Sequence, residues 1–406
     1  MLTQSLNGSS FAKETESDLP QLTTAAETKP MAEAFSGGVE IIERFAQEWR
    51  ELCDEGPSDQ PFYRPEWIEA YMRAFAPRKR LLIVTARVNG RLRALLPLVE
   101  GRILFHGLPV RMLRSPTNTH TCRFDLAHGA GRDVPLAVGA IWQLLRERRG
   151  WDVIELGEVP EGAASEGLLR LAQSNGHLTG QWKMSPGPYI TLPGEATTID
   201  RALEHTSSKF RKNIRRGIQK LKEEGELRLI RTTEADPSEL EFFYRLEGSG
   251  WKGKEGTAIA GQAETRKFYD EVARSAAQFG YLSLYRLERG DHTVAMHYGL
   301  TSGGRYFLIK TAYDENILQV SPGQILVREI LSDILAQGGR EFDLLMPEAE
   351  WKNKWATASR PHNYCYVFAR SYVGWALHAY KFRLRPAIRQ MNHKRSKAIS
   401  ETESQD

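Results

Sequence analysis

The chain has 406 residues, 41% of them hydrophobic and 10% aromatic, which is enough for two or three packed cores and too apolar for a disordered protein. Lys and Arg number 55 against 51 Asp and Glu, an excess of four that by itself announces neither a nucleic-acid nor a membrane surface. The three cysteines, Cys53, Cys122 and Cys365, have neither disulfide-framework nor metal-ligand spacing, so reduced thiols and a cytoplasmic setting are expected.

Residues 1–37 are rich in Ser, Thr, Glu and Pro, carry no apolar run of the signal-peptide kind, and read as a disordered lead. From Gly38 onward Ile41, Ile42, Phe45, Trp49 and Leu52 recur at helical spacing. A second helix, RPEWIEAYMRAFAP, is ended by Pro77. RLLIVTARVNG and RLRALLPLVEG read as two strands meeting at Asn89-Gly90, a strong hairpin signal. A turn-rich stretch from Ser115 to His120 leads to a helix over about Pro135–Arg149 and then to the strand WDVIELGEV. At LPGEATTIDRAL the composition changes and a second unit begins.

That second unit repeats the plan. GYLSLYRLERGDHTVAMHYGLTSGGRYFLIKTAYD holds three strands joined by Gly-containing turns, and the helix LVREILSDILAQGG precedes the strand REFDLLMP. Val153–Leu156 falls on Glu341–Leu344 at an offset of 188 residues, and Ala94 falls on Ala295 at an offset of 201. A tandem duplication with an indel of about thirteen residues follows, against a single larger α/β domain as the competing reading. The expected division is 1–37 disordered, 38–192 a first domain, 193–385 a second and catalytic domain, and 386–406 a basic and polar tail. No segment approaches eighteen consecutive apolar residues, so no transmembrane span is expected.

SSKFRKNIRRGIQKLKEEG is the densest basic run, with Lys209, Arg211, Lys212, Arg215, Arg216, Lys220 and Lys222 around an apolar stripe of Phe210, Ile214, Ile218 and Leu221. It reads as an amphipathic helix with a cationic face; no second basic element or recognition signature supports nucleic-acid binding. Pro322-Gly323 opens the amphipathic run after Tyr313. The pair is either a plain helix start or a helix N-terminus whose free amides hold a phosphate. The ten histidines include no HExxH pair, and there is no GxSxG elbow, so neither a metal site nor serine-hydrolase chemistry is expected. His297, in the AMHYG strand, faces either core or cleft.

FYRPEWIEAYMRAF, RALLPL, SSKFRKNIRRGIQKL, GSGWKGKEGTAI, GGRYFLIKTAYD, SPGQILVREIL, FDLLMP and EWKNKWA occur in an order that resembles the GNAT-superfamily acetyltransferase-like proteins of the CelD and BioF2-like group, distant relatives of the Fem-like tandem aminoacyltransferases. The resemblance covers about residues 40–385 and is strongest from Ser207 to Trp355. It implies an α/β fold of two GNAT-like mixed sheets flanked by helices. It also implies transfer of an acyl group from acetyl-CoA or another acyl-CoA to an amine of a small molecule, amino sugar or envelope polysaccharide precursor. A Fem-like use of aminoacyl-tRNA is the alternative enzyme reading, and a noncatalytic glycan- or partner-binding protein is the alternative of another class.

On that resemblance Gly304–Asp314 is the strand beside the cofactor, and Gln319, Val320, Ser321, Pro322, Gly323 and Gln324 form the pyrophosphate loop. The loop lacks the glycine-rich form common in the superfamily; Gly323 alone clearly matches. Acyl transfer to an amine needs a proton acceptor, a donor toward the carbonyl oxygen and a proton for the leaving thiolate. Glu247 is the expected base, or else a solvated helix-end acid. Asp314 either binds the amine or caps a turn, and Tyr313 either protonates the thiolate or packs. Asp343 either lies on a sheet edge or pairs with a cation. Trp251 with Lys252, and Lys352 with Lys354, are the expected substrate-binding groups, or otherwise packing surfaces with outward lysines.

Overall fold

The computed structural model describes residues 29–57, 59–105, 108–192 and 198–385. The expectations for residues 1–28 and for the tail 386–406 lie outside the described residues. Met31–Gly37, however, forms a strand instead of continuing the disordered lead. Ala32 and Ala34 pack on one side of it and Phe35 on the other, so small side chains meet the alternating pattern of an edge strand that composition alone does not reveal.

In chain order the main strands are β1 (Met31–Gly37), β2 (Arg80–Val88), β3 (Arg91–Phe105), β4 (Leu108–Arg114), β5 (Val153–Pro160), β6 (Thr179–Lys183) and β7 (Gly187–Thr191). The second half supplies β8 (Leu227–Thr232), β9 (Leu282–Arg289), β10 (His292–Ser302), β11 (Arg305–Tyr313), β12 (Glu341–Asp343), β13 (Ala358–Arg360) and β14 (His362–Phe368). One sheet runs β1-β2-β3-β4-β5-β14-β6 and the other β8-β9-β10-β11-β12-β7-β13. Position by position the two orders agree. Each has one parallel pair, β4 with β5 and β11 with β12, and the remaining neighbours along each order are antiparallel.

The sixth place in each sheet is filled from the other half of the chain. β7 leaves the first half to lie between β12 and β13, and β14 returns from the carboxyl end to lie between β5 and β6. Smaller features repeat too. The β2–β3 register shifts at Ala86/Arg87 and the β9–β10 register at Leu287/Glu288, 201 residues apart by subtraction. Asn89 and Gly90, with φ of 52° and 78°, make the expected tight turn between β2 and β3.

The main helices are α1 (Ala46–Asp54), α2 (Pro65–Phe75), α3 (Val134–Glu147), α4 (Ser165–Ser174), α5 (Ser208–Glu223), α6 (Pro237–Ser249), α7 (Ala263–Gln278), α8 (Pro322–Ala336) and α9 (Tyr372–Ala379). They separate the sheets into layers. α3 and α4 cover the outer face of the first sheet through Ile141, Trp142 and Leu168. Between the sheets lies a shared core in which Leu81, Ile83 and Leu95 of the first meet Trp67, Phe268 and Tyr269 of the helices and Met296 and Phe307 of the second. α8 closes the outer face of the second sheet with Ile325, Leu326, Ile330 and Leu331, and α5 adds Ile214 and Leu221. Burial of these faces is the main favourable term holding the two units together, since apolar area removed from water stabilises by roughly 25 cal/mol per Å².

Candidate functional site

β11 is paired with β12 only from Arg305 to Phe307, after which it runs on to Tyr313 with that edge open. The chain then makes a tight helical turn over Glu315–Val320 and enters α8. The helix begins at Pro322, because Ser321 adopts the left-handed conformation (φ 57°, ψ 60°) and Pro322 supplies a preset first turn. Pro322 has no amide hydrogen, and the amides of Gln324 and Ile325 donate back to the Ser321 carbonyl at 2.9 and 3.2 Å. The Gly323 amide is the first-turn donor left for a ligand. Gly323 itself lies against Tyr313, whose ring would stand 3.3 Å from an added Cβ.

Two clefts meet around this turn. The larger, about 840 Å³, is lined by α5 residues Lys209, Phe210, Asn213, Arg216, Gly217 and Lys220, by Gln319–Ser321 and Gln324, and by Trp351, Asn353 and Lys354. None of its described lining residues is acidic. Lys354 pairs with Glu350 at 2.9 Å, but Lys209, Arg216 and Lys220 have no ion pair among the described residues. An exposed cationic helix face is usually just solvated; here the same face forms one wall of a cleft that ends at a helix N-terminus, and the two features favour the same sign of ligand charge. α5 comes this close because position 217 is glycine.

The smaller cleft, about 290 Å³, has aromatic and apolar walls from Trp251, Tyr313, Leu318 and Trp351, with His297, Thr311 and Lys252 as its polar lining. Ser321, Gln324 and Trp351 belong to both clefts. Lys252 donates to Glu247 Oε1 at 2.8 Å and to the Thr311 carbonyl at 2.9 Å, while Glu247 Oε2 accepts from the Ile259 amide at 2.9 Å. His297 is 1% exposed, and neither ring nitrogen has a hydrogen-bond partner among the described residues. Burial, reinforced by the nearby Lys252 charge, pushes its pKa down to about 3, so the ring is neutral.

The structure thus brings Trp251, Lys252, Tyr313, Ser321, Pro322, Gly323 and Gln324 to one pocket, and Gln319, Val320 and Lys354 to the adjoining cleft. Glu247 is buried behind Lys252 and is not a solvated helix-end acid. Asp314 caps the following turn, accepting from the Asn316 amide at 2.9 Å and facing His292 Nε2 at 2.9 Å. Asp343 is buried between Arg123 and Arg360, each at 2.7 Å, and accepts from the Leu345 amide at 2.9 Å. Lys352 donates to the carbonyls of Leu345 and Pro347, both at 2.9 Å, and burial pushes its pKa down to about 8. Sequence reasoning passed over Gly217, whose place inside a strongly amphipathic helix was the available signal. It also passed over Lys310, half-buried on β11 over the Tyr269 ring at 5.6 Å and with no anionic partner among the described residues.

The matching helix start in the first unit is built differently. Asp133 is the residue before α3, 188 positions before Ser321 by subtraction, and its carboxylate is ion-paired with Arg93 at 2.6 Å. The first unit thus has an arginine-paired carboxylate on the residue that corresponds to Ser321, although that carboxylate makes no capping hydrogen bond to α3.

Two mixed sheets of equal strand order, each with a parallel pair and a helix leading into its second member, define a tandem GNAT-like fold. Residues 208–353 match the family model of the acetyltransferase (GNAT) domain, so the carboxyl-terminal unit is the one that carries that signature. Among solved structures, FemX is similar with a TM-score of 0.56 at 10% identity, over 83% of this chain and 97% of FemX. A tandem GNAT protein from the clavulanic acid biosynthesis pathway aligns at 13% identity and a TM-score of 0.45, over 84% of this chain and 99% of that one. L-PGS from Bacillus licheniformis aligns at 11% identity and a TM-score of 0.48, over 83% and 95%. No curated protein sequence gives a match. At 10% identity the likeness to FemX is one of fold, and chemistry has to be argued from the site.

Proposed function

We propose that the chain is an N-acyltransferase that moves an acyl group from an acyl-CoA to an amine on a small molecule, amino sugar or envelope polysaccharide precursor. The observation that carries this reading is the acid-free cationic cleft that runs past Ser321–Gln324 into a small aromatic-walled pocket. Lys209, Arg216 and Lys220 would hold the donor's phosphates, with the Gly323 amide and the α8 N-terminus. The donor supplies an activated thioester; the chain supplies position and charge. In the small pocket Lys252 is an ammonium fixed by Glu247, placed to stabilise negative charge on a carbonyl oxygen. The neutral His297 ring accepts a hydrogen bond from the attacking amine, which must itself be neutral to react. Glu247 acts through Lys252, and Tyr313, at the pocket wall, gives its proton to the leaving thiolate and regains one from the nitrogen that becomes cationic on attack, so the amine's proton ends on the thiol and the step balances. Asp314 and Asp343 serve to hold the turn and the sheets.

The second reading, aminoacyl-tRNA as donor, draws on the number of cations on α5, since Lys212 and Lys222 add charge beyond the cleft lining. Titration separates the two. Acetyl-CoA should bind the wild-type chain and bind Lys209→Glu/Arg216→Glu roughly 10- to 100-fold more weakly, as expected for lost charge-assisted hydrogen bonds. Absence of acetyl-CoA binding together with tight binding of charged tRNA would replace the first reading with the second; binding of neither would leave a noncatalytic protein.

A further inference from the structure

The carboxyl-terminal helix shows a surface that the acyl-transfer reading does not use. Gly374 and Leu377 of α9 face inward, and Leu377 joins Val110, Met112, Tyr366 and Phe368 in a small core on the first sheet. The outward side of α9 is aromatic, with Tyr372 95% and Trp375 61% exposed, and Leu384, five residues past its end, is 55% exposed. Leu108, 60% exposed and two residues along β4 from Val110, extends the apolar surface beyond the helix. Arg370, Arg383 and Arg385 are exposed around these residues, with no ion pair to a carboxylate among the described residues.

The sequence around α9 is rich in cations, although Glu155 of β5 pairs with Lys381 at 3.9 Å and Glu401, Glu403 and Asp406 come later in the chain. From Trp351 to Ser400 there is no Asp or Glu, whereas eleven Lys and Arg occur, in a chain whose overall excess is only four. An exposed Trp and Tyr set among arginines has the chemistry of an interfacial anchor: rings that enter the boundary between headgroups and acyl chains, and cations that pair with anionic headgroups. A partner protein with an acidic groove would meet the charges but gives no reason for a 95% exposed tyrosine beside a tryptophan. Among the described residues no helix is long and apolar enough to cross a membrane.

We propose that α9 and the described residues that follow it, as far as Arg385, dock this protein reversibly on an anionic lipid surface, independently of the acyl-transfer site. The test is sedimentation of the full chain with vesicles of phosphatidylcholine alone and of equal parts phosphatidylcholine and phosphatidylglycerol. Binding to the anionic vesicles, weak binding to the neutral ones and loss on adding salt are expected. Tyr372→Ser/Trp375→Ser should lower the vesicle affinity at least tenfold while leaving the melting temperature and acetyl-CoA affinity unchanged, because both side chains are exposed. Arg383→Glu should lower it for anionic vesicles alone. Equal binding by wild type and the double variant would overturn the proposal, as would failure to bind either vesicle. Concentration-dependent self-association of the wild type that the double variant loses, without vesicle binding, would assign the face to a second copy of the chain, and RNA binding lost in the same way would assign it to nucleic acid.

Discussion

The Cβ that Gly217 lacks would stand 2.6 Å from the carbonyl oxygen of Val320 and 3.1 Å from Ile325 Cδ1. The cationic helix therefore touches the turn that leads into α8 backbone to backbone, and the large cleft takes its width from that contact. Gly217→Ala gains up to about 1 kcal/mol in helix propensity but must push α5 off the turn, which typically costs about 1–3 kcal/mol. The expected outcome is a lower melting temperature by calorimetry together with weaker acetyl-CoA binding. A raised melting temperature would mean that the contact yields at little cost.

Glu247 and Lys252 form a nearly dry ion pair, with side chains 1% and 17% exposed. Glu247→Gln keeps the shape and the acceptor for the Ile259 amide but leaves the Lys252 ammonium without its counter-charge. Loss of roughly 3 kcal/mol of stability is expected, as for other buried pairs broken on one side. Turnover should fall more than donor affinity, measured as kcat against Kd. Wild-type turnover in this variant would remove both residues from the chemistry.

Asp343 sets an acid limit on stability. Burial alone would raise its pKa, but Arg123 and Arg360 hold it below the usual carboxylate value. A depressed folded-state pKa gives stability that is present in full above the unfolded pKa of about 3.9 and lost as pH falls through the folded value. Asp343→Asn should therefore cost about 3–5 kcal/mol at neutral pH, where the buried Arg123 loses its counter-charge and Arg360 keeps only Glu341, and proportionately less in acid. Urea unfolding at neutral and acid pH measures the difference.

His297 makes the opposite trade. Its two nitrogens are buried without partners among the described residues, so His297→Leu should stabilise the unliganded chain by about 1–3 kcal/mol, the ordinary cost of an unsatisfied buried polar group. If the ring holds the attacking amine, the same variant should lose roughly 10²-fold in turnover, the scale of a displaced reactant. With a folded pKa of about 3 against about 6.5 unfolded, wild-type stability rises with pH between those values and is full above the upper one. The variant should lack that part of the pH dependence.

Much of the fold was legible because its signals are local. The Asn89-Gly90 turn, the three strands from Leu282 to Tyr313 and the 188-residue offset all read directly from patterning, and the offset extends to the helices, since Val134 and Pro322 open α3 and α8 at the same spacing. The exchange of β7 and β14 was not legible, because a short alternating strand such as Gly187–Thr191 carries no mark of which sheet it will join. The site was read in part. The turn at Ser321–Gly323 is announced by its Pro-Gly pair, whereas the burial of Glu247 depends on a lysine in the next helical turn and an amide twelve residues on, and no spacing rule predicts that meeting. The cationic run of α5 was visible as a charge pattern, but only the fold shows it facing a cleft.

The strand exchange also orders events during synthesis. At ~5–20 residues per second, roughly 10–40 s separate emergence of β6 from emergence of β14, the strand that must be inserted beside it. Throughout that interval β5 and β6 present unpaired backbone edges across an open slot, while β7 waits for a sheet not yet made. Neither half can close its sheet before residues 358–368 have been made, so a nascent chain arrested short of His362 exposes sheet edges that chaperones or neighbouring chains can capture.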